Sequence, residues 1–274
     1  MLPNFPAPRP PQVGLIGFGA FGRLIAVHLR AHCRLLVHDP ALPPGEAAPM
    51  AGVTAGPLAL AARCPIVILA VPVAALRDAV LAIRPHLAER ALVVDVGSVK
   101  MLPARILCRD LPTHVDIIAT HPLFGPQSAR DGLAGRRIAL CPLRGTRAAA
   151  LAAFLRRLGL RVILTTPEAH DREAAISQGL THLLARLLDH MEPHMKPMPQ
   201  RITTGSFDQL RAALDMVRHD SPEVYHAITQ LNPYAREMRA RFLALARQMA
   251  EDDPHVTSDA APYSVSSGQS IRAS

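Results

Sequence analysis

The sequence predicts an α/β protein: an N-terminal doubly wound, mostly parallel sheet followed by an all-helical C-terminal domain. Three observations carry that expectation. Short apolar, β-branched runs alternate with helical stretches as far as Leu164, the pattern of buried parallel strands joined by crossover helices. A glycine-rich turn sits where the first run meets the first helical stretch. From Glu168 onward no strand pattern appears, only long amphipathic stretches.

Taken in order, Val13–Gly17, Arg34–His38, Pro65–Ala70, Ala91–Asp95, Val115–Ala119 and Arg137–Cys141 read as strands. They are apolar on both faces, as strands covered on both sides must be. Phe21–Ala31 and Val73–Leu87 have helical periodicity between them. Ala148–Leu158 is a further helix and Arg161–Leu164 a last strand. The helical part comprises Ala169–Met191, Phe207–Val217 and Glu223–Met249, with Pro193, Pro197 and Pro199 punctuating the link between the first two. The expected division is a proline-rich tail over 1–12, a dinucleotide-binding domain over 13–166, a helical domain over 167–251 and a polar, Ser-rich tail over 252–274. A chain of 274 residues suits one or two domains at ~150 residues each.

Composition excludes several classes. The chain is 49% hydrophobic and 19% charged, which suits a globular core rather than a disordered chain. Cys33, Cys64, Cys108 and Cys141 stand far apart, so neither a zinc module nor a disulfide scaffold is expected, and a reducing cytoplasm is. The apolar run Ile66 to Leu76 is broken by Pro72 and is shorter than the ~18 residues of a membrane span. The N-terminus has no apolar signal core. The net charge is +8, but it is dispersed and comes almost entirely from arginine. With no Trp and few Phe or Tyr to stack bases, nucleic acid is not the expected partner. Surplus positive charge helps draw in an anionic substrate instead.

The glycine turn runs Val13-Gly-Leu-Ile-Gly17-Phe-Gly19-Ala20-Phe21-Gly22, a GxGxxG between a strand and a helix. Gly17 permits the tight turn, Gly19 lets backbone approach a pyrophosphate, and Gly22 lets helix and strand pack closely. The helix N-terminus then faces the phosphates. Asp39 stands at the end of the second strand, 17 residues after Gly22. A carboxylate there accepts from both ribose hydroxyls and repels a 2′-phosphate, although an Asp before Pro40 is also an ordinary turn residue. The expectation is a Rossmann-type domain binding NAD, with NADP still open, through Gly17, Gly19, Ala20, Phe21, Gly22, Asp39, Val71 and Pro72.

Two further segments fall at the carboxyl ends of neighbouring strands, where ligands sit in open α/β sheets. Asp95-Val-Gly97-Ser98-Val-Lys100 places Ser98 there, a residue that also commonly caps helices. Thr120-His121-Pro122-Leu123-Phe124-Gly125-Pro126 brings His121 to the same rim, a candidate acid–base group. In the helical part, Gln178, Thr181 and His182 share a face by i, i+3, i+4 spacing, either lining a cleft or forming a solvated face. His170, His182, His190 and His194 show no HExxH arrangement, and no metal site is expected.

These motifs resemble the prephenate/arogenate dehydrogenase family of tyrosine biosynthesis, from about Val13 to Met249. The most specific pieces are Asp95-Val-Gly-Ser98-Val-Lys100, His121-Pro-Leu-Phe-Gly-Pro126 and His170-Asp171-Arg172…Ser177-Gln178…Thr181-His182. The last two are closest to the plant arogenate dehydrogenases. Thr204-Gly205-Ser-Phe207 to Tyr225 and Leu231-Asn232-Pro233 agree less specifically. The resemblance implies that His121 is the catalytic histidine, Ser98 its hydroxyl partner, and Gln178, Thr181, His182 and Asp220 part of the substrate side. It implies oxidative decarboxylation of arogenate or prephenate by NAD, in a cytoplasmic homodimer. Asp220 favours the ammonium-bearing arogenate, although an Asp beside Ser221-Pro222 also suits a helix cap. Two features depart from the family pattern. Met216 falls where members carry an arginine for the substrate carboxylate, with Arg211 and Arg218 nearby, and Asp39 stands where the plant strand looks suited to NADP. Other readings are an amino-substituted prephenate dehydrogenase, another NAD-dependent hydroxyacid dehydrogenase, and a non-catalytic NAD sensor.

Overall fold

The computed structural model describes residues 10–42, 50–195, 203–218 and 220–251. Eight strands form one sheet: β1 Gln12–Ile16, β2 Arg34–His38, β3 Val53–Ala55, β4 Ile66–Leu69, β5 Leu92–Asp95, β6 Asp116–Pro122, β7 Arg137–Arg144 and β8 Arg161–Leu164. Their order is β3-β2-β1-β4-β5-β6-β7-β8. Every pairing is parallel except β6 with β7. The order reverses beside β1, the switch point at which such sheets open a crevice at their carboxyl ends.

The two-residue alternation of the strands divides the core. Val13, Leu15, Leu35, Val37, Ile68 and Val94 face one layer, with α1 (Ala20–Leu29) and α5 (Ala148–Arg157). Ile16, Val67, Leu69, Val93 and Ile117 face the other, with α2 (Leu58–Ala62), α3 (Leu76–Ile83) and α4 (Met101–Asp110). An apolar cavity of about 200 Å³ lies between α1 and α5, lined by Val13, Ile68, Val94 and Phe154 among others. The helical part is α6 (Pro167–Met195), α7 (Gly205–Arg218), α8 (Pro222–His226), a π-helical turn (Ala227–Leu231) and α9 (Ala235–Glu251). α7 and α9 both pack on α6, which at 29 residues is roughly 44 Å long.

Several elements differ from the sequence expectation. The first strand begins at Gln12, inside the stretch assigned to a tail, because Arg34 N–H bonds to Pro11 and pulls that end into the sheet. β3, α2 and α4 were not anticipated. β3 has three residues and α2 five, too short to show a period. α4 carries Pro103 in its first turn, where the missing N–H has no intrahelical partner to lose. The stretch Val73–Leu87 is a 3₁₀ turn, α3 and a second 3₁₀ turn. Glu223–Met249 is not one helix: Pro233 forces the preceding Asn232 into an extended conformation, with ψ at 117°, and α9 starts afresh at Ala235. The expected tails, apart from residues 10–12, lie outside the described residues.

Candidate functional site

The glycine turn has the form a dinucleotide requires. Gly17 has φ of +98°, and a Cβ there would lie 2.5 Å from the Ala70 carbonyl oxygen. Gly22 is held so close that a Cβ would meet the Gly17 oxygen at 2.2 Å. A Cβ on Gly19 would meet nothing within 4 Å, so open space lies in front of that backbone. Gly19 also caps α1 without any side-chain hydrogen bond, which leaves the first N–H groups of the helix free for an anion. Asp39 follows β2. Its Oδ2 accepts from Phe18 N at 2.6 Å and its Oδ1 from Ala41 N at 2.8 Å, so the carboxylate is fixed beside the turn. Ala20 and Phe21 open α1, and Val71 and Pro72 follow β4 at the same sheet edge. These residues fit a dinucleotide whose ribose hydroxyls reach Asp39.

At the neighbouring rim, β5 and β6 run in register, with Asp95 opposite Ala119. Ser98 follows β5 by three residues and His121 is the penultimate residue of β6, so both fall at the carboxyl ends of adjacent parallel strands. Ser98 is half-buried and does not cap α4, whose cap residue is Lys100, a residue whose side chain makes no capping bond to the helix. That task falls to a residue 70 positions away: Asp171, at the start of α6, accepts from Lys100 N at 2.7 Å and from Met101 N at 2.9 Å. His121 is buried, at 4% exposure. Its Nδ1 lies 2.8 Å from Nε2 of His170, and Nδ1 of His170 lies 2.8 Å from Asp171 Oδ1. Burial holds the His121 imidazole well below the usual histidine range, and the charges of His170 and Lys100 push the same way.

Beneath this histidine lies a sealed ion pair. Lys100 Nζ donates to Asp95 Oδ2 and to the Thr120 carbonyl oxygen, each at 2.6 Å, and Thr120 Oγ1 donates to the Asp95 carbonyl at 2.7 Å. The ammonium thus pins the backbone just before His121. Burial pushes the Asp95 carboxyl upward while Lys100 opposes it. His170, Asp171 and the Lys100–Asp95 pair were not assigned roles from the sequence. His170 and Asp171 find their partners 49 and 71 positions away, whereas Asp95 and Lys100 stand five apart around the loop after β5. The adjacent letters His170-Asp171 and the short Asp95-to-Lys100 spacing were the available signals.

The helical residues gather elsewhere on α6. Twelve residues separate His170 from His182, about 18 Å of helix. His182 is buried, its Nε2 is 3.5 Å from Asp220 Oδ2, and its ring centroid is 6.0 Å from that of Tyr225. Arg186 stacks on the same tyrosine at 4.1 Å. Burial, and then the charge of Arg186, lowers the His182 imidazole, while burial raises the Asp220 carboxyl. A solvated face is therefore not what this segment forms. Thr181, in contrast, turns its hydroxyl back to Ser177 O at 2.6 Å, and Gln178 keeps a buried Oε1 without a partner among the described residues. Asp220 does not cap α8; Ser221 does. Arg218 contacts Asp189 and Asp215, and Met216 is 57% exposed.

Fold and site together define a class: a nucleotide-binding α/β domain whose active rim is completed by a helical domain. Comparison with known proteins narrows it. The model of the prephenate dehydrogenase nucleotide-binding domain matches residues 45–164, and the curated proteins that the chain resembles are arogenate and prephenate dehydrogenases. It is 27% identical over 194 residues to a probable arogenate/prephenate dehydrogenase of Methanocaldococcus jannaschii, covering 68% of this chain and 43% of that protein. It is 32% identical over 164 residues to the chloroplastic arogenate dehydrogenase 1 of Arabidopsis thaliana, covering 57% of this chain and 25% of the relative. The chain thus spans less than two-thirds of these relatives. Among solved structures, prephenate dehydrogenase from Aquifex aeolicus, in complex with hydroxyphenyl propionate and NAD+, superposes with a TM-score of 0.72. That match has 21% identity and covers 90% of this chain and 91% of that one. Synechocystis arogenate dehydrogenase gives 0.62 at 20% identity, covering 88% and 89%.

Proposed function

We propose that this protein is an NAD-dependent arogenate/prephenate dehydrogenase that favours arogenate. The observation that carries the reading is His121: a buried imidazole at the carboxyl end of β6, the neighbour of the strand β5 that Ser98 follows, in the same sheet as the strand that leads into the glycine turn. Gly17, Gly19, Ala20, Phe21, Gly22, Val71 and Pro72 would hold the dinucleotide, and Asp39 its ribose, which selects against a 2′-phosphate. The nicotinamide, when bound, supplies the hydride acceptor.

In the reaction the ring carbon bearing the hydroxyl loses its hydrogen as hydride. His121 accepts the hydroxyl proton, and Ser98 hydrogen-bonds the same oxygen to hold it. The bond from the quaternary carbon to its carboxylate breaks, carbon dioxide leaves, and the electron pair completes the aromatic ring. The proton held by His121 returns to the phenolate oxygen, restoring the neutral base. A base must be neutral before it acts, and the lowered affinity of His121 for protons keeps it so at neutral pH.

Gln178, Thr181, His182 and Asp220 form the proposed side-chain end of the substrate site. His182 Nε2 lies within ion-pair reach of Asp220, and burial disfavours its charge. An ammonium on the substrate would compensate the Asp220 carboxylate, whereas a second carboxylate would be repelled. No helix among the described residues is long and apolar enough to cross a membrane, which suits the proposed cytoplasmic enzyme. Leu187, Met191, Leu210, Leu243, Leu245 and Met249 are exposed on α6, α7 and α9. These apolar faces support pairing with a second copy.

The test is His121→Asn assayed with both substrates. Turnover should fall by about 10²-fold or more, the contribution of a positioned base, while NAD+ binding survives. Retained turnover rejects the assignment.

A further inference from the structure

We infer that His170 and Asp171, at the start of α6, are positioning residues that fix the tautomer of His121 and so decide which ring nitrogen is the base. The inference rests on the reading of His121 as that base. With His170 neutral, the donors and acceptors around His121 have one consistent solution. Backbone amides only donate, and two of them, Lys100 N and Met101 N, point at Asp171. Asp171 is therefore held as an acceptor. The His170 nitrogen 2.8 Å from its Oδ1 is Nδ1, so that nitrogen carries the proton. A neutral imidazole has one proton to give, and Nε2 of His170 is left with a lone pair. That lone pair faces His121 Nδ1 at 2.8 Å, so His121 must be protonated there. Its Nε2, which has no hydrogen-bond partner among the described residues, keeps the lone pair that takes a proton from substrate.

The opposite tautomer would set two lone pairs against each other at the same 2.8 Å. All three side chains are at least nine-tenths buried, so water does not compete for these bonds. Asn232 Nδ2 donates to the Asp171 carbonyl at 2.8 Å and holds the start of α6 in place. As His121 gains a proton from substrate, its charge is met through His170 by the Asp171 carboxylate. This is the logic by which an acid orients and supports the histidine of a hydrolytic triad. Here the orienting pair comes from the helical domain and the base from the sheet, so the base is complete only when the two domains are docked.

The experiment uses the full chain labelled with ¹⁵N at histidine, its ring nitrogens read by long-range ¹H–¹⁵N correlation, alongside steady-state kinetics. Wild type should show His121 protonated at Nδ1. His170→Leu should lose that signature and lower kcat about 100-fold, within the range of a positioned base, with KM for substrate nearly unchanged. His170→Gln returns an acceptor to the same place and should restore both the Nδ1–H form and most of the turnover. Should leucine unfold the protein, His170→Asn, polar but too short to reach Nδ1, takes its place. A wild-type His121 protonated at Nε2 overturns the inference, as does a leucine variant that keeps the Nδ1–H form and full turnover. Full turnover in His121→Asn would reject the base itself, while the spectra would still decide the tautomer.

Discussion

Replacing Lys100 by methionine removes one half of the ion pair under His121 and leaves the other half stranded. Lys100 is 0% exposed and Asp95 1%, and Asp95 Oδ1 has no partner among the described residues even with Lys100 in place. Breaking such a buried pair costs about 3–5 kcal/mol. At roughly 2–4 °C per kcal/mol for a chain near this size, Tm should fall by about 6–20 °C at pH 7. The penalty should also depend on pH. Burial raises the Asp95 carboxyl and Lys100 holds it down, so without Lys100 the folded state grips that proton more firmly than the unfolded chain does. A group raised in this way adds stability below the ordinary carboxylate range and loses it as pH rises through the raised value. The deficit of Lys100→Met relative to wild type should therefore be smaller at pH 5 than at pH 8. Asp95→Asn/Lys100→Met should recover part of it, since the amide oxygen can still accept from Gly97 N. Scanning calorimetry at both pH values decides the matter. A drop within about 2 °C at pH 7, or a deficit indifferent to pH, would refute the reasoning.

Three further outcomes are expected. Because His121 holds its proton less tightly than an ordinary histidine, kcat/KM should stay level as pH falls through ~6.5 and decline only below it; half-maximal activity at or above that pH contradicts the assignment. Asp220→Asn should shift the kcat/KM ratio from arogenate towards prephenate by about tenfold or more, the worth of a hydrogen bond to a charged group, and an unchanged ratio rejects the arogenate preference. Gly19→Val should leave Tm within about 2 °C yet weaken NAD+ binding measured by calorimetry, whereas Gly22→Ala, whose Cβ has no room, should lower Tm. A Gly19→Val protein that binds NAD+ normally would move the phosphates away from this turn.

The sheet was legible from its apolar, β-branched runs: Arg34–His38 and Arg161–Leu164 match to the residue, although the second lies at the sheet edge with its side chains largely exposed. Elements fixed by distant partners were not. α4 gives no N-cap letter because its cap is Asp171, and β3 is three residues held by β2. The π-helical turn and the break at Asn232 replace a continuous amphipathic pattern for a local reason, Pro233, which the periodicity overrode. At the site, Ser98 and His121 stood out because strand ends are where such sheets work. His170 was visible only as one histidine among four, and its meaning depends on a residue 49 positions earlier. His182 looked like part of a polar stripe, but the helix packing buries it and turns its neighbour Thr181 back on the backbone.

The carboxylate that caps α4 has a consequence for protein engineering. A chimera joining this sheet to a foreign helical partner would inherit Lys100 and Met101 with bare amides, unless the donor brought an aspartate to the same station. Swaps between relatives should therefore cut within α6 beyond residue 171, keeping the first turn of that helix with the sheet it serves, rather than at the visually obvious seam after Leu164.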